Sequence, residues 1–409
     1  MRDPLSVLII AQYFPPDLGG SATRAYNVAK GLLLNGCRVT VVAAFPHYPH
    51  GNVPKEYRWR PFKEERIGNM RVIRTFILPL ESKGLGRRIA LFVTFIVSSL
   101  FPMPLVGKFD VVWSSNPDLI AIIPAIIYGA VKKRPIASNV DDLALEDLYD
   151  LKLIKRGSIA AKVIELITRT CYRKAALITP ISPGYVKPLL QYGVEKSKIH
   201  VVKGGVDLTI FKPCNSALKN EDQFTVLYSG AFSIAYNFDQ VIYAAKIVEE
   251  KDDEIEFILQ GKGELVNHIK SKIKDLNLKN LQVIDRIISR EEVAKLLNQA
   301  NALILPLGDF GKPHLGISAK LYEYQAMGKP IICCSSGVPG TYVQETKSGV
   351  VVRPGDYNSL TEFIFYLKHN KYVAKELGKN GRRYVENNVS LEKIGFEMMT
   401  ILEKIAHVY

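Results

Sequence analysis

The residues with the clearest chemical potential are a lysine and a glutamate three positions apart, Lys320 and Glu323. In an α-helix, side chains with this spacing project from the same side. The surrounding pattern predicts such a helix, because Ser318 is a suitable N-cap, residues 319–327 are compatible with a helix, and Gly328 ends the segment. We therefore expect the pair on the first turns of a short helix.

The start of this helix has the chemistry of a diphosphate site. The first N–H groups of a helix lack internal acceptors, and the helix dipole favours an anion at that end. Lys320 would add a positive charge, and Glu323 could accept hydrogen bonds from a ribose. The spacing alone is equally compatible with an ordinary surface ion pair on a core helix, because such pairs are common.

The segment 316–330 resembles the nucleotide-sugar site of retaining GT-B glycosyltransferases of family 4 (glycosyl transferases group 1). The resemblance is to the colanic-acid-type aminosugar transferases, in which this segment is Pro-Ser-Lys-Leu-x-Glu-Tyr-Met-Ala-x-Gly-Lys-Pro. Lys320 matches the lysine of that subgroup, and Glu323 matches the second glutamate of the superfamily's E-x7-E motif. The first glutamate is not matched, since Leu315 stands at its position with His314 beside it.

The resemblance implies an α/β fold of the GT-B type, with two Rossmann-like domains whose parallel sheets face a central cleft. Residues 1–210 would form the acceptor-side domain, with a last helix at about 390–409 packing back on it. Residues 211–389 would bind the nucleotide sugar, after a linker near Phe211–Asp222. In both halves, apolar strand patterns alternate with helical patterns, which independently predicts parallel sheets covered by helices.

Donor contacts are expected in the second half. The resemblance assigns them to Gly230, Arg286, Ser318, Lys320, Glu323 and Gly340. Relatives hold the donor diphosphate with an arginine and a lysine where this chain has Ala231 and Tyr236. Each lost charge-assisted contact is worth about 1.5–3 kcal/mol. Lys320, Lys262 and Arg286 are the candidates to replace the missing charges.

Acceptor contacts are expected in the first half. Gly19 and Gly20 would let the backbone approach a ligand at a helix start, although a plain tight turn is the commoner cause of such a pair. The loop of residues 45–51 resembles the family's Gly-Phe-Pro-Asn-Tyr-Pro-x-Gly pattern, and its His47 is either an acceptor contact or a solvated loop histidine. Asp142 would orient or deprotonate an acceptor hydroxyl, unless its acidic segment only satisfies a helix dipole.

Composition limits the choice of partners and compartment. The chain has 409 residues, 47% of them hydrophobic, which is enough for two domains with separate cores. A net charge of +14 favours polyanionic substrates or an anionic membrane, and nucleic acid ranks last because zinc-finger spacing and base-stacking aromatics are lacking. Five cysteines without a C-x-x-C pair indicate a reducing, cytoplasmic compartment, and no signal peptide is expected.

One uncharged stretch, residues 89–107, could contact a membrane. Lys83, Arg87 and Arg88 precede it, while Pro102 and Pro104 break its end. A helix lying in the bilayer surface and a buried core helix are equally favoured, and a spanning helix is disfavoured because strands are expected on both sides of it. The protein would then work at the inner face of the cell membrane.

The sequence therefore predicts a retaining, metal-independent glycosyltransferase without a cofactor. It would move a hexose or acetamidosugar from a nucleoside-diphosphate sugar to a hydroxyl of a lipid-linked or cell-surface glycan. Lys320, Glu323 and Asp142 are the catalytic candidates, and no metal ligands are assigned. The alternatives are a nucleotide-sugar 2-epimerase and a degenerate GT-B subunit that only binds a partner or a membrane.

Overall fold

The predicted alternation of strands and helices is present in both halves of the structure, a computed structural model that describes residues 3–48, 51–78, 85–115, 117–150, 152–214 and 223–408. The chain divides into two units, one of Met1–Gly205 with Leu391–Tyr409 and one of Val206–Ser390. Residues 215–222 of the expected linker, and Lys83 before the uncharged stretch, lie outside the described residues.

A sheet of mainly parallel strands forms the centre of the first unit. Within the described residues its strands are β1 (Ser6–Ala11), β2 (Arg38–Ala44), β3 (Phe62–Ile67), β4 (Met70–Thr75), β5 (Val111–Ser114), β6 (Ile136–Val140) and β7 (Leu177–Pro180). Their order is β3-β4-β2-β1-β5-β6-β7, and β3 alone among them runs antiparallel to its neighbour. The inner strands are apolar and buried because helices cover the sheet.

Helices connect these strands. Those of the first part of the chain are α1 (Gly20–Leu34), α2 (Leu85–Ser98), α3 (Asp118–Lys132), α4 (Ala144–Asp150), α5 (Ile159–Lys174) and α6 (Val186–Gln191). Apolar runs at residues 5–11, 38–43, 70–75, 111–114 and 136–139 predict strands, and β1, β2, β4, β5 and β6 lie within one residue of these bounds. Sequence patterns did not predict β3, which carries charged residues at its centre and forms the edge of the sheet.

The second unit repeats this plan with parallel strands throughout. Its strands in the described ranges are β8 (Phe224–Ser229), β9 (Ile255–Gly261), β10 (Leu281–Asp285), β11 (Ala302–Pro306), β12 (Ile331–Cys334) and β13 (Gly349–Val352). The order is β10-β9-β8-β11-β12-β13. Its helices are α7 (Phe238–Glu249), α8 (Val266–Asp275), α9 (Arg290–Gln299), α10 (Ala319–Ala326), α11 (Val338–Glu345), α12 (Tyr357–His369) and α13 (Lys371–Asn388). The α/β class with two parallel-sheet domains, predicted from the sequence, is confirmed.

The last helix, α14 (Leu391–Val408), belongs to the first unit and packs against α1. Two glycines make the contact possible. A Cβ on Gly31 would stand 2.6 Å from the carbonyl oxygen of Leu391, and a Cβ on Gly395 would stand 2.1 Å from the carbonyl oxygen of Gly31. Both distances are far below van der Waals contact, so the backbones of α1 and α14 touch directly.

The uncharged stretch 89–107 forms most of α2 and the turns that follow it. Leu91 and Phe95 are buried in the core of the first unit. The residues of the outer face, each about half exposed, are Ile89, Val93 and Val97. The helix therefore both fills the core and leaves aliphatic side chains at the surface. No helix in the described part of the chain has the length and apolar character needed to cross a bilayer.

We predict that Gly395→Ala lowers the free energy of unfolding of the first unit by about 1–3 kcal/mol, because the added methyl forces α14 away from α1. Gly86→Ala on α2 is the matched control, since a Cβ there has nothing within 4 Å. The control should be neutral or stabilising by up to about 1 kcal/mol, the usual gain of alanine over glycine in a helix. Urea unfolding of both variants measures the difference, and equal stabilities would contradict the close approach.

Candidate functional site

Helix α10 starts at the carboxyl edge of the second sheet. It connects β11 to β12, which are parallel neighbours, so the loops after both strands lie at the same edge. Ser318 occupies the N-cap position as predicted, but its side chain makes no capping hydrogen bond. Gly328, with φ +66°, ends the helical segment.

Two early amides of α10 are available to a ligand. The amide of Leu321 donates to the carbonyl of Ser318 at 3.0 Å. The amides of Ala319 and Lys320 come before it and have no acceptor among the described residues. These residues are partly exposed, so the helix start is open at the surface. Free N–H groups at a helix start favour an anion.

The side chain of Lys320 is fixed by aromatic residues of β8 and the loop that follows it. Its Nζ lies 3.1 Å from the hydroxyl of Tyr236 and 5.2 Å from the centre of that ring. The ring of Tyr228 is 5.7 Å away on another side. These contacts with two aromatic rings and a hydroxyl orient the ammonium of Lys320.

Gly230 provides the space that Lys320 occupies. A Cβ at Gly230 would stand 2.0 Å from Cε of Lys320, and its φ of +151° also disfavours any other residue. The sequence resemblance assigns Gly230 to the donor site, and this assignment stays a prediction, but the structure shows why a glycine is needed here. The missing side chain allows the lysine to lie across the loop after β8.

Tyr236 has an unusual electrostatic environment. Burial alone would raise its pKa, but the ammonium of Lys320 and hydrogen bonds with Lys320, Tyr228 and Ser318 lower the pKa below its ordinary value. The pKa of Tyr228, by contrast, is raised by burial and by the neighbouring tyrosines. The sequence resemblance implies a lysine at the position of Tyr236, and the structure has here a hydroxyl that is bonded to Lys320.

Glu323 is paired with an arginine that the sequence did not point to. Its Oε1 lies 3.2 Å from the guanidinium of Arg290, at the start of α9, and Arg290 in turn lies 5.2 Å from the centre of the Phe211 ring. The side chain of Glu323 is 18% exposed. Burial raises its pKa, against the opposing effect of Arg290 and Lys320. The carboxylate can therefore still reach a ligand, but Arg290 already holds one of its oxygens.

Arg286 and Lys262, the other candidates to replace the missing charges, are both exposed, and their place in the donor site stays a prediction. The sequence analysis also assigns Gly340, near the start of α11, to the donor site, and this assignment stays a prediction. The amide of Val338 donates to His314, those of Gly340 and Thr341 donate to Gly337, and residue 339 is a proline.

At the first sheet, Gly19 and Gly20 lie at the start of α1 as predicted. Gly19 has φ +100° and is the N-cap residue of the helix, and its carbonyl accepts from the amide of Thr23 at 3.1 Å. A Cβ at Gly20 would meet nothing within 4 Å. This helix start is open enough for a ligand hydroxyl.

His47 is buried, so the interpretation as a solvated loop histidine is wrong. Its Nδ1 lies 2.8 Å from the carbonyl of Phe45, its amide donates to Asp17 at 2.8 Å, and its ring stacks on Tyr13 at 5.3 Å. Nδ1 donates to this carbonyl, and the buried Nε2 has no partner in the part of the chain that the structure describes. The side chain thus shapes the loop and keeps one unpartnered ring nitrogen.

The loop after β6 is organised by a buried arginine of α1 that the sequence did not reveal. Arg24 donates to Asn139 at 3.2 and 3.1 Å and lies 3.8 Å from Asp141. Asp142 is exposed and accepts a long hydrogen bond of 3.5 Å from the hydroxyl of Tyr185. Asp142 is therefore the carboxylate of this loop that a ligand can reach.

Two protein-family models match the chain. The model of Glycosyltransferase Family 4 matches residues 18–210, and that of Glycosyl transferases group 1 matches residues 214–384. The chain carries these two glycosyltransferase domains in tandem. The group 1 domain contains α10, and the family 4 domain contains Gly19, His47 and Asp142.

Relatives and solved structures support this assignment. The amylovoran biosynthesis glycosyltransferase AmsK of Erwinia amylovora is 21% identical over 358 residues, covering 81% of this chain and 86% of AmsK. Two further curated relatives are 24% and 26% identical, and the matched part of this chain spans 57% of the length of each.

Among solved structures, sucrose-phosphate synthase from Thermosynechococcus elongatus matches with a TM-score of 0.75 and 17% identity, covering 99% of this chain and 100% of the synthase. Anabaena HepE in complex with UDP and glucose matches with a TM-score of 0.70 and 14% identity, over 98% and 100% of the two chains. At these identities the structures establish the fold, and the predicted GT-B fold is confirmed.

The group 1 domain allows a test of Glu323. We predict that Glu323→Gln raises the free energy of unfolding at pH 7. A carboxyl whose folded pKa is raised stabilises the fold most when it is protonated, so the wild type should lose stability as the pH rises from the ordinary glutamate pKa of about 4.3 through the higher folded value. The glutamine side chain carries no charge at either pH, so the variant should not lose stability in this way. Urea unfolding of the wild type and the variant at pH 4 and pH 7 measures the difference.

The control for this experiment is Glu376→Gln, at an exposed ion pair on α13. The hydrogen bond from Lys379 lowers the pKa of Glu376, so removing this carboxylate should change stability slightly in the opposite direction. Lower stability of Glu323→Gln than of the wild type at pH 7 would mean that the Arg290 pair outweighs the burial of the carboxylate.

Proposed function

We propose that the protein is a retaining glycosyltransferase, which moves a hexose or acetamidosugar from a nucleoside-diphosphate sugar to an acceptor hydroxyl. The observation that carries the proposal is the open start of α10, which has two amides without an internal acceptor and the lysine Lys320, whose ammonium is bonded to Tyr236. This arrangement suits a diphosphate. The tandem domains and the relative AmsK, named for amylovoran biosynthesis, support a lipid-linked or cell-surface glycan as acceptor.

In the proposed reaction the bond between the anomeric carbon and the diphosphate oxygen breaks, and a bond from the acceptor oxygen to that carbon forms on the same face of the sugar. The diphosphate leaves with additional negative charge, which Lys320 and the α10 amides stabilise. Glu323 binds the ribose hydroxyls. Asp142 orients the acceptor hydroxyl and takes its proton. The positive groups of the chain meet the leaving charge, so the proposal includes neither a metal nor a cofactor.

The structure of UDP and glucose bound to HepE is consistent with a nucleoside-diphosphate donor for this chain. The epimerase and binding-subunit alternatives gain no support from the relatives named above. Ala231 and Tyr236 stand where the resemblance implies an arginine and a lysine. Lys320 is then the principal positive charge at the diphosphate, and the affinity for the donor depends mainly on it.

We predict that Lys320→Ala weakens binding of the nucleoside diphosphate by about tenfold to a hundredfold, as expected for the loss of one charge-assisted contact. Turnover should fall at least as much, because charge on the diphosphate increases as the sugar leaves. Calorimetry with UDP, GDP and dTDP measures binding, and transfer of labelled sugar to a membrane-lipid extract measures turnover.

Lys295→Ala, at an exposed position on α9 of the same domain, is the matched control. It removes the same charge from the protein without touching the α10 start, so binding and transfer should remain at wild-type values. Unchanged binding in Lys320→Ala would remove this lysine from the mechanism.

We further propose that the protein attaches to the inner face of an anionic membrane through the helical layer α2–α3–α5 of the first unit. Helix α3 packs against both α2 and α5. On α5, exposed aliphatic residues recur at helical spacing, namely Ile159 (82% exposed), Val163 (50%) and Leu166 (66%). Exposed Lys162 lies between them, and the net charge of the chain is +14. Aliphatic side chains beside basic ones are typical of interfacial helices.

We predict that the double variant Val93→Ser, Val97→Ser binds vesicles of phosphatidylglycerol and phosphatidylcholine at least about tenfold more weakly, because each buried CH₂ is worth about 0.8 kcal/mol at an interface. Tyr372→Ser, which alters a 77% exposed residue of the second unit, should bind as the wild type does. Co-sedimentation measures both. Equal binding of the wild type and the double variant would contradict attachment through α2.

A further inference from the structure

Trp59 is the most exposed large hydrophobic side chain among the described residues, with 100% of its surface open to solvent. It lies in the loop between the short helical turn Lys55–Tyr57 and β3. Neither core cluster of the first unit contains it. Folding therefore gives no reason for an indole at this position, because the side chain buries no apolar surface when the chain folds.

The backbone at Trp59 is also unfavourable for a bulky residue. Its φ is +64°, in the left-handed region. The other non-glycine residues that the structure places in this region are small or flexible polar ones, namely Lys133, Lys152, Asn277 and Lys347. A left-handed backbone disfavours bulky side chains, and residues held in it cluster at functional positions.

The loop that presents Trp59 is anchored on both sides of this residue. Tyr57 is buried, and its hydroxyl donates to Glu65 at 2.9 Å. The guanidinium of Arg58 donates to the carbonyl of Val53 at 3.1 Å, across the turn. The indole is therefore held away from the protein by a folded loop.

This loop lies on the same side of the first sheet as α2. Tyr57 belongs to the core cluster that also contains Leu91 and Phe95 of α2. The cluster on the opposite face of the sheet holds residues of α1 and α14 instead. Because Trp59 is only two residues from Tyr57, it belongs to the side of the unit that carries the exposed aliphatic residues of α2.

The charges around Trp59 are mainly positive. Residues 55–60 carry three basic side chains, Lys55, Arg58 and Arg60, and one acidic side chain, Glu56, and all four are exposed. Basic residues are attracted to a bilayer that contains anionic lipids. Tryptophan is enriched at membrane–water interfaces, where its apolar ring and its N–H group both find a suitable environment.

We propose that the loop of residues 53–61 is a second membrane contact of this chain, separate from α2, and that the indole of Trp59 inserts into the interface of an anionic bilayer. This inference rests on the membrane attachment proposed above. A glycan fits the loop less well, because small-ligand sites are concave and enclose most of their ligand, whereas Trp59 is fully exposed at a turn. A bilayer deforms around a projecting side chain and needs no pocket.

The chain supplies its own probe for the test, since it contains two tryptophans and the other one, Trp113, is fully buried. Fluorescence emission of the full chain is recorded with vesicles of phosphatidylcholine, with vesicles that also contain phosphatidylglycerol, and with the latter made from brominated phosphatidylcholine, which quenches an inserted indole. Oligosaccharides of alginate and dextran are the glycan probes. Co-sedimentation measures vesicle binding in parallel.

Two variants separate the indole from the loop. Trp59→Phe keeps an aromatic ring without the indole emission. Trp59→Asn removes the ring and suits a left-handed φ, because asparagine is enriched in that region. Tyr372→Ser, at an exposed aromatic residue of the second unit, is the control.

With anionic vesicles we expect the wild-type emission to shift to shorter wavelength and to be quenched by the brominated lipid. Trp59→Phe should lose both signals while it still binds, because Trp113 is buried in the core. Trp59→Asn should bind about tenfold more weakly, as expected when one aromatic side chain no longer leaves water. Its midpoint of urea unfolding should equal or exceed that of the wild type, whereas a structural role of the indole would lower the midpoint. Tyr372→Ser should behave as the wild type.

Vesicle binding without a change in emission or quenching would overturn the assignment of Trp59 and leave attachment through α2 intact. An emission shift with alginate or dextran but not with vesicles would identify a glycan contact and would overturn it as well. If the wild type binds no vesicles, the proposed attachment fails together with this inference. If the double variant Val93→Ser, Val97→Ser binds as the wild type does while Trp59 is quenched, the contact through α2 fails and that of Trp59 stands.

Discussion

The space that Gly230 leaves for the side chain of Lys320 is the constraint on which the candidate site depends. The lysine can cross the loop after β8 only because residue 230 has no side chain. Tyr228 and Tyr236 then fix its direction. The direction of the ammonium is therefore set before any ligand arrives, so the binding of an anion would need little reorganisation.

Tyr236 is a central polar group of this site, because its hydroxyl is bonded to Lys320 and its pKa is lowered. Burial alone would raise this pKa, so the ammonium of Lys320 and the hydrogen bonds outweigh the effect of burial. The carboxylate form of Glu323 is also disfavoured, because burial raises its pKa and Arg290 offsets that effect only in part. Polar groups kept for ligands generally lower stability in this way.

Local patterns in the sequence predicted most of the fold and the helix that carries Lys320 and Glu323. Apolar runs bounded by turns gave β1 and β8, and the Ser318-to-Gly328 pattern gave α10 within one residue at its end. These signals are local, because strand burial and helix termination depend on neighbouring residues. The placement of Lys320 and Glu323 on one short helix follows from the same rules.

The contacts that the sequence did not reveal join residues far apart in the chain. Arg290 meets Glu323 across 33 positions, and Arg24 meets Asn139 across 115. Such pairs are set by the order of strands in a sheet, which spacing alone does not encode. The burial of His47 depended in the same way on its loop folding over Tyr13 and Asp17.

The return of α14 to the first unit has a consequence for synthesis on the ribosome. Helix α1 is translated early. Its partner α14, which packs on it through Gly31 and Gly395, is translated only after the whole of Val206–Ser390. At translation rates of roughly 5–20 residues per second, the first unit waits about 10–40 s for its final helix. The second unit is contiguous in the chain and can complete its folding during that interval, so the half of the protein that is translated first is the half that matures last.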